Sequence, residues 1–377
     1  MSRYLKNRNV AVIGGGIAGL TVAIALAHRG AKVTVQERAP QLTEAGAGLQ
    51  ISPNAGRVLE ALGLGAALDQ VSARSAGVLL HDHHGKQVAA LALAARRPGA
   101  AFRMVHRARL IEVLERGARE AGVLIELGKE VGEVLPDAPL VIGADGLHSI
   151  IRRKLNGVEH PFFTGQTAWR ALIQDGSEDA CARVFMGPRK HLVTYRLGGG
   201  LRNIVAVQER PDWAAEGWSH QDDPANLRRA FAGFGGPLPG WLAQVDTCGV
   251  WGLFRHQVAQ RWHDDRLAIL GDAAHPTLPF MAQGAVMAIE DAWTMAECLD
   301  RIDDQSAALA RYQALRRPRV EKIVAAANGN ARNYHLSGPA RVIAHAGLRS
   351  LSRLAPNRLM GRFDWIYDYD PLAEAVS

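Results

Sequence analysis

NVAVIGGGIAGLTVAIALAHRGAKVTVQER, residues 9 to 38, is the stretch that decides the fold. The apolar run Asn9 to Ile13 predicts a strand, and the segment that follows the glycines, as far as His28, predicts a helix. A second apolar run, Lys32 to Val35, predicts another strand, after which the chain reaches Glu37. A strand, a glycine turn, a helix and a second strand form one βαβ unit of a parallel α/β sheet.

The glycines of this turn match a dinucleotide-binding fingerprint. Gly14, Gly16 and Gly19 have the spacing G-x-G-x-x-G, which makes the turn tight and lets a diphosphate approach the backbone at a helix N-terminus. Glu37 lies 23 residues after Gly14, where an acid can bind the hydroxyls of a ribose. An acid at this position predicts an unphosphorylated ribose, as in FAD or NAD.

A second stretch, RLAILGDAAHPTLPFMAQGAVMAIED, spans residues 266 to 291. The run Leu267 to Leu270 predicts a buried strand, and Asp272 follows it at the edge where open α/β sheets bind ligands. The prolines that come next exclude a regular helix before Gly284, after which small residues recur at helical spacing. We therefore expect a helix whose N-terminus faces a ligand. Taken alone, this pattern is more typical of plain α/β architecture than of a cofactor site.

A third stretch, DAPLVIGADGLHSIIRR at residues 137 to 153, repeats the same order. Leu140 to Ile142 predicts a strand, and Asp145 follows it before a helix that carries Ser149 and Arg152 on its early turns. The carboxyl ends of parallel strands meet at one edge of a sheet. The three stretches therefore predict one cofactor site at that edge.

The middle of the chain has a different pattern. Alternating apolar residues at 183–186, 191–195 and 203–207, separated by glycine turns, predict an antiparallel sheet between residues 160 and 262. Residues 72 to 100 predict further, less regular strands. This β-rich layer would form one wall of a pocket against the cofactor sheet.

Three smaller features are less decisive. His81, His83 and His84 surround a turn and indicate an exposed loop rather than a metal site. After residue 291 the pattern predicts helices, interrupted at Pro318. The sequence FDWIYDYDP from residue 363 predicts an aromatic cluster at the surface.

The composition excludes several classes of protein. The 377 residues are 48% apolar and 21% charged, as in ordinary globular proteins, and are too many for one small core. No apolar run is long enough to cross a bilayer and no signal peptide is recognisable, so we expect a cytoplasmic protein without a membrane partner. The net charge is +7, but the basic residues are dispersed along the chain and no aromatic residues are interleaved in their densest runs, so no nucleic-acid partner is expected. The three cysteines are too widely spaced for a disulfide framework or a metal knuckle.

Together these motifs resemble the single-component FAD-dependent aromatic hydroxylases. The segments that carry the resemblance are GGGIAGL at 14–20, ER at 37–38, GAGLQISPNA at 46–55, HRARL at 106–110, IGADGLHSIIRR at 142–153 and GDAAHPTLPFMAQGAVMAIEDA at 271–292. Within that family the chain is similar to the salicylate, 3-hydroxybenzoate and 6-hydroxynicotinate hydroxylases, over nearly its whole length. The resemblance implies a fold like that of p-hydroxybenzoate hydroxylase: an α/β protein with a Rossmann-like FAD-binding domain, an interleaved antiparallel β-sheet substrate domain and a helical C-terminus.

The resemblance also implies that the domains alternate along the chain. Residues 1–71, 101–158 and 264–330 would form the FAD-binding domain. Residues 72–100 and 159–263 would form the substrate domain, and residues 331–377 a C-terminal helical segment. Three separate parts of the chain would thus contribute to one cofactor site.

Roles for individual residues follow from the same resemblance. The glycine turn would hold the FAD diphosphate, Glu37 the adenosine ribose and Asp272 the ribityl chain. The residues expected to bind the cofactor are Gly14, Gly16, Ala18, Gly19, Glu37, Arg38, Gln50, Arg107, Asp145, Asp272, Pro279, Gly284 and Ala285. The catalytic residues expected beside the substrate are His191, Tyr195 and Gln283, and no metal is expected.

The implied reaction is the hydroxylation of a small aromatic ring. NADH or NADPH would reduce FAD, the reduced flavin would capture dioxygen as a flavin hydroperoxide, and a phenolic or hydroxy-heteroaromatic, carboxylated ring would take its distal oxygen. His191, helped by Tyr195 or Gln283, would favour the phenolate form of the ring. The alternative is another flavin oxidoreductase on the same scaffold that acts on a non-aromatic or polycyclic compound, and a flavoprotein that uses FAD for structure or redox sensing is a third interpretation. Arg109 and Arg196 depart from the family pattern, so the substrate stays open, as does the oligomeric state, a homodimer included.

Overall fold

The computed structural model describes residues 4–42, 48–211 and 220–374, and these residues form three β-sheets. The strands are β1 (Asn9–Ile13), β2 (Lys32–Gln36), β3 (Gly48–Ile51), β4 (Ser72–Ser75), β5 (Gly77–Asp82), β6 (Gln87–Leu91), β7 (Phe102–His106), β8 (Leu124–Glu126), β9 (Leu140–Gly143), β10 (Phe162–Gln174), β11 (Cys181–Gly187), β12 (Lys190–Arg196), β13 (Leu201–Glu209), β14 (His220–Asp222), β15 (Cys248–Arg255) and β16 (Leu267–Ile269). The helices are α1 (Ile17–Ala27), α2 (Pro53–Ala61), α3 (Gly65–Val71), α4 (Leu93–Arg96), α5 (Arg107–Glu120), α6 (Ile150–Asn156), α7 (Pro224–Ala230), α8 (Leu238–Ala243), α9 (Gly284–Arg301), α10 (Gln305–Tyr334), α11 (Gly338–Leu354), α12 (Pro356–Gly361), α13 (Asp364–Tyr367) and α14 (Pro371–Glu374).

The first sheet is parallel, with the strand order β16-β9-β1-β2-β8. This confirms the strands predicted from the three motif-bearing stretches, and it places the ends of β1, β9 and β16 side by side. Helix α9 packs closely against α1, as its small residues require. A Cβ atom added at Gly271 would lie 3.0 Å from Cβ of Ala18 and 3.2 Å from Cβ of Ala288, so any larger residue would push the two helices away from the turn.

The second sheet has eight strands in the order β14-β15-β10-β13-β12-β11-β5-β6. The three segments predicted as strands lie in β11, β12 and β13, and residues 72–100 supply β5 and β6 at the edge. The sheet is not fully antiparallel as expected, because β5 and β11 pair in parallel. A long crossover separates these two strands in the chain, and such a crossover permits parallel pairing. The third sheet is the small antiparallel set β3-β7-β4. The proposed domain boundaries stay a prediction.

The expected interruption at Pro318 is wrong, because α10 runs through it from Gln305 to Tyr334. A proline inside a helix costs about 3 kcal/mol, since it removes one hydrogen bond and clashes with the preceding turn. Ion pairs hold the helix on both sides of this proline: Arg316 binds Glu290 and Asp291, and Arg319 binds Glu290. These contacts with α9 offset the local cost.

Two other expectations need correction. His81 is not in an exposed loop but is buried on β5, where its ring stacks on Phe185 with centroids 4.8 Å apart. The aromatic segment near the C-terminus is not a surface cluster, since Ile366 and Tyr367 are buried in a hydrophobic core. In both cases the covering residues come from distant parts of the chain, which local sequence patterns do not reveal.

The described helices include none with the length and apolar character that a membrane span requires. The three cysteines are free, and Cys248 and Cys298 are buried. Among the residues the structure describes, no group of three histidine, cysteine or acidic side chains is arranged to hold a metal ion.

Candidate active site

A cavity of about 930 Å³ lies between the carboxyl edge of the parallel sheet and the eight-stranded sheet. Its volume is near the upper end of the range for ligand pockets. The expected site residues on its wall are Gly14, Gly16, Ala18, Glu37, Arg38, Gln50, Arg107, Asp145, His191, Tyr195, Asp272, Pro279, Gly284 and Ala285. The cavity thus brings together nearly all of the predicted site. Gly46 and Ala47 of the quoted motifs lie outside the described residues.

The glycine turn after β1 leaves no room for side chains. Gly14 has a φ of 102°, and a Cβ atom on it would lie 2.4 Å from the carbonyl oxygen of Ala144. Gly19 lies behind the wall, where a Cβ atom would come within 1.9 Å of the carbonyl oxygen of Gly14. Gly19 therefore acts on the site by allowing α1 to approach the turn closely.

Three carboxyl groups and one arginine stand at the edge of the parallel sheet. Glu37 accepts hydrogen bonds from the backbone N–H of Gly15 at 2.7 Å and of Ala39 at 2.8 Å, which fixes it at the end of β2. Burial raises the pKa of Asp145, although hydrogen bonds from Ser149 and Ile150 oppose the shift. Burial also raises the pKa of Asp272, whose side chain keeps accessible surface toward the cavity, and His275 and Arg107 oppose that shift.

The loop before α9 forms the floor of the cavity next to these acids. A 3-10 turn at Pro279–Met281 is followed by Ala282 in the left-handed region, with a φ of 52°. This conformation reverses the chain direction so that α9 begins at Gly284. Gly284 and Ala285 both line the cavity. The N-terminus of α9, with its unpaired N–H groups and positive dipole end, is therefore at the cavity, as predicted.

Gln283 does not occupy the position expected for it. Its side chain is 1% exposed and lies behind the cavity wall, where Nε2 donates to Oγ of Ser52 at 3.2 Å. Oε1 accepts from Nδ2 of Asn54 at 3.3 Å, and the same amide nitrogen donates to Glu290 at 2.6 Å. The expected contact between this glutamine and a substrate is wrong for this conformation. A buried polar network satisfies the amide, so Gln283 anchors the loop instead.

That network continues into a fully buried set of ion pairs that sequence analysis missed. Arg316 lies 2.6 Å from Glu290 and 2.7 Å from Asp291, and all three side chains are buried. The other oxygen of Asp291 is 2.5 Å from Nε2 of His275 and accepts from the backbone N–H of Gly271 at 3.1 Å. The ion pairs tie the turn after β16 to helices α9 and α10, and so fix the position of Asp272 beside the cavity.

His191 and Tyr195 lie on the opposite wall, on β12. Nδ1 of His191 is 2.7 Å from Nε2 of His335, a residue that sequence analysis missed. Burial lowers the pKa of His191 well below its usual value, and the neighbouring His335 lowers it further. Burial raises the pKa of Tyr195, while nearby Arg170 opposes the shift. At neutral pH, then, His191 is neutral and able to accept a proton, and Tyr195 is protonated.

Arg170 on β10 is a second wall residue that sequence analysis missed. Its guanidinium stands 4.2 Å from the ring centre of Trp251, and burial lowers its pKa to about 10, assisted by the charge of Arg107. Within the described residues its Nε has no hydrogen-bond partner. In the sequence it is one arginine in an alternating strand, and nothing there shows which face of the sheet it occupies. The cavity therefore contains a cation whose hydrogen bonds are not all made.

The chain matches known proteins over its full length. A family model described as an FAD binding domain matches residues 7–139 and 132–327. The 3-amino-4-hydroxybenzoate 2-monooxygenase PtmB3 of Streptomyces platensis is 33% identical over an alignment of 399 positions that covers 98% of each chain. The 6-hydroxynicotinate 3-monooxygenase of Pseudomonas fluorescens is 31% identical and covers 84% of this chain and 90% of its own. The structure of a salicylate hydroxylase substrate complex matches with a TM-score of 0.81, at 26% identity over 98% of each chain.

The chain belongs to the class A flavoprotein monooxygenases. The fold and the resemblance inferred from the sequence motifs are confirmed, and the cofactor of the enzyme is FAD, with NADH or NADPH as electron donor.

The cavity of this monooxygenase fits FAD on its own structural grounds. The turn at Gly14 is too tight for a Cβ atom, and the backbone of Gly14 and Gly16 lines the cavity, where a diphosphate can approach it. Oδ1 of Asp145 is buried and lacks a hydrogen-bond partner among the described residues, while Asp272 faces the cavity. Buried polar atoms of this kind need a partner, and the hydroxyls and amides of a bound cofactor can supply it.

Proposed function

We propose that this monooxygenase hydroxylates a small aromatic ring that carries both a carboxylate and a phenolic or heteroaromatic hydroxyl. Two of its relatives are named for such rings, 3-amino-4-hydroxybenzoate and 6-hydroxynicotinate. The observation that carries the proposal is the combination of a buried cation and a neutral histidine on one apolar cavity wall. A carboxylate and an acidic hydroxyl are the groups that these two side chains would bind.

Arg170 supports the carboxylate part of the proposal. A cation in an apolar enclosure gains most from an anionic partner, because the desolvation of the charge is otherwise uncompensated. The lowered pKa of Arg170, caused by burial and by Arg107, expresses that cost. The guanidinium lies over the ring of Trp251, and its Nε is without a hydrogen-bond partner among the described residues, so a carboxylate could accept from it.

His191 supports the hydroxyl part of the proposal. A neutral imidazole at hydrogen-bonding distance from a phenol can take its proton and so make the ring a better nucleophile. Bound FAD supplies the electron transfer and the activation of oxygen. The work of the protein is to orient the ring, to remove its proton at His191 and to exclude water. Apolar side chains near His191, among them Leu278 and Phe280, provide that exclusion.

A substrate screen tests the proposal. The FAD-loaded enzyme is mixed with NADH or NADPH and with a panel of hydroxybenzoates and hydroxypyridines, each beside its analogue without the carboxylate. We expect carboxylated rings alone to stimulate oxidation of the nicotinamide and to gain one labelled oxygen atom from labelled dioxygen. If no ring in the panel stimulates NAD(P)H oxidation or gains the label, the substrate class is wrong.

A larger, polycyclic substrate is the second candidate. Apolar side chains of α11 and α12 also line the cavity, among them Leu348, Leu351 and Leu359. These side chains could contact a ring system longer than a benzoate. Labelled oxygen in a polycyclic product, with no stimulation by benzoates, would favour it.

Three further expectations belong to this proposal. We propose a homodimer, cytoplasmic location and the alternating domain boundaries given above. Light scattering of the purified enzyme, cell fractionation and limited proteolysis test them in turn.

A further inference from the structure

Two histidines and a glutamate form a hydrogen-bonded row from the cavity to the protein surface. Nδ1 of His191, whose side chain is 1% exposed, lies 2.7 Å from Nε2 of His335. Nδ1 of His335 in turn lies 2.9 Å from Oε1 of Glu209, whose side chain is 34% exposed. The row therefore connects a buried wall residue with solvent through two short contacts.

The local structure holds the three residues in register. β12 and β13 pair so that His191 stands opposite Val207, and the backbone N–H of Glu209 donates to the carbonyl of Arg189 at 2.9 Å. The N–H of Arg189 donates to the carbonyl of His335 at 3.2 Å, which joins the end of α10 to the turn before β12. Arg189 also pairs with the second oxygen of Glu209 at 3.0 Å. The oxygen Oε1 is the one that contacts His335.

The acceptor at the outer end determines the tautomer of both rings. An ionised carboxylate only accepts hydrogen bonds, so Nδ1 of His335 carries the hydrogen and donates it to Glu209. In neutral His335, Nε2 is then an acceptor, and Nδ1 of His191 must be the donor. Nε2 of neutral His191 is left with a free lone pair. Among the described residues this nitrogen has no hydrogen-bond partner, and His191 lines the cavity.

We propose that His335 and Glu209 are positioning residues that fix His191 as a proton acceptor and carry the proton of the substrate hydroxyl to solvent. This inference rests on the proposed function, since it requires a ring that is bound with an acidic hydroxyl group at His191.

Every proton in the relay is accounted for. Nε2 of His191 takes the hydroxyl proton as the O–H bond breaks, while Nδ1 of His191 passes its own proton to Nε2 of His335. His335 releases its Nδ1 proton to Glu209, which gives it to water. The hydroxylated ring regains one proton when it leaves as a neutral hydroxyl, and passage in the opposite direction restores both original tautomers. No oxidant or reductant is needed.

The surroundings explain why a single histidine is not sufficient. Burial lowers the pKa of both rings, although Glu209 opposes the shift at His335, so neither ring holds a second proton near neutral pH. The rings packed around His191 are Phe280 and Tyr334, and burial raises the pKa of Tyr334 to about 12. Neither can accept the proton at neutral pH. Among the described residues, Glu209 with its partner Arg189 is the charged pair that this row reaches.

Release of a proton on ligand binding tests the relay without any hydroxylation. The probe is 4-hydroxy-3-nitrobenzoate, whose phenolate is coloured, mixed in a stopped-flow instrument with the FAD-loaded enzyme and a pH indicator in weak buffer. The variants are Glu209→Gln and His335→Asn, which keep the approximate shape of each side chain. Glu209→Gln removes the final proton acceptor, and His335→Asn removes the ring that transfers the proton. Arg189→Gln is the matched control, because it removes the surface ion pair and leaves Oε1 of Glu209 in place.

We expect Glu209→Gln to slow the appearance of phenolate and proton by about 10-fold to 100-fold, at the low end of general-base effects, with probe affinity within about twofold. In Arg189→Gln the rate of proton release should stay within about twofold of that in the unmodified enzyme. The slowed appearance of phenolate in Glu209→Gln should show a solvent isotope effect. Equal rates in the unmodified enzyme and in the Glu209→Gln, His335→Asn and Arg189→Gln variants would overturn the relay while leaving the proposed substrate class intact.

A second measurement needs no ligand, so it remains decisive if the probe does not bind. In the FAD-loaded enzyme labelled with ¹⁵N-histidine, the signals of His191 and His335, assigned by substitution of each, should report hydrogen on Nδ1 of both rings. Glu209→Gln should disturb that tautomer pattern, and Arg189→Gln should not. Hydrogen on Nε2 of His191 in the unmodified enzyme would refute the inference, whatever the substrate screen shows.

Discussion

Replacement of Arg170 by methionine should weaken the binding of carboxylated rings and of no others. Methionine has a similar length and can pack on Trp251, so the change removes a charge rather than the shape of the wall. Loss of one partner from a buried, hydrogen-bonded charge pair costs about 2 to 5 kcal/mol. A value of about 3 kcal/mol corresponds to a rise of about 100-fold in the Kd of the ligand.

The same structure predicts that stability will not fall. Burial lowers the pKa of Arg170 to about 10, so the folded protein without ligand disfavours its charge. Removing an incompletely paired buried cation takes that cost away, and the midpoint of thermal unfolding should be unchanged or higher. A stable variant with weak ligand binding is therefore the expected combination.

The assay compares two ligands that differ only in charge. The FAD-loaded enzyme is titrated with 3-amino-4-hydroxybenzoate and with the corresponding benzamide, and binding is followed by the flavin absorbance. We expect Arg170→Met to raise the Kd of the carboxylate about 100-fold and that of the amide by less than about threefold. Arg255→Met is the control, because Arg255 lies in the same sheet on β15 and is not on the cavity wall.

Two results would refute the reasoning. If both ligands lose affinity equally, Arg170 shapes the wall and does not bind a carboxylate. If the purified variant has lost FAD, the arginine binds the cofactor, one of whose expected cationic contacts, Arg107, is near it.

Three further perturbations have expected outcomes. Gly19→Ala should reduce the FAD retained after gel filtration, because the new Cβ atom would lie 1.9 Å from a backbone oxygen of the turn. The control Gly240→Ala, whose new Cβ atom would have no atom within 4 Å, should retain FAD. Equal retention in the two variants would contradict the fit of FAD to the glycine turn. Arg316→Met should lower the free energy of unfolding by about 3 to 5 kcal/mol, because it takes a fully buried guanidinium away from two fully buried carboxylates, Glu290 and Asp291. In urea denaturation the variant of its half-buried neighbour, Arg317→Met, should change that free energy by less than about 1 kcal/mol. Similar losses in the two variants would show that burial of the arginine does not matter. Burial alone would raise the pKa of Asp291, but ion pairing holds this pKa at about 2, below the value of about 3.9 in an unfolded chain. Its stabilising contribution is therefore complete above about pH 4 and is lost as the pH falls toward 2, so unfolding midpoints that do not decline over this range would contradict the assignment.

The parallel sheet and the cofactor edge could be predicted because their signals are local. Strand, glycine turn, helix and acid follow one another within a short stretch, and each residue type has a physical reason to be at its position. The resemblance to a family extended this to Arg107 and Asp272, which both lie on the cavity wall. The wrong predictions rest on local patterns whose effect is outweighed by contacts with distant parts of the chain. At Pro318, for example, ion pairs to α9 keep the helix continuous.

The substrate side of the site was less predictable. His191 and Tyr195 lie on the cavity wall and their roles beside a substrate stay a prediction, whereas the side chain of Gln283, also expected at the substrate, binds Ser52. Arg170 has no motif, since the face of the sheet to which it points depends on strand pairing. His335 is separated from His191 by 144 residues, so no spacing rule connects them.

By itself, the sequence determined the α/β fold, the class of cofactor and the backbone turn that receives it, because glycine, proline and acidic residues restrict the local chain directly. Only the tertiary structure decided which side chains face one another across the cavity. The cation at Arg170 and the row from His191 to Glu209 exist because separate strands and a helix end converge there. Burial at that convergence sets the protonation of these groups, and burial is a property of the folded chain and not of any local sequence.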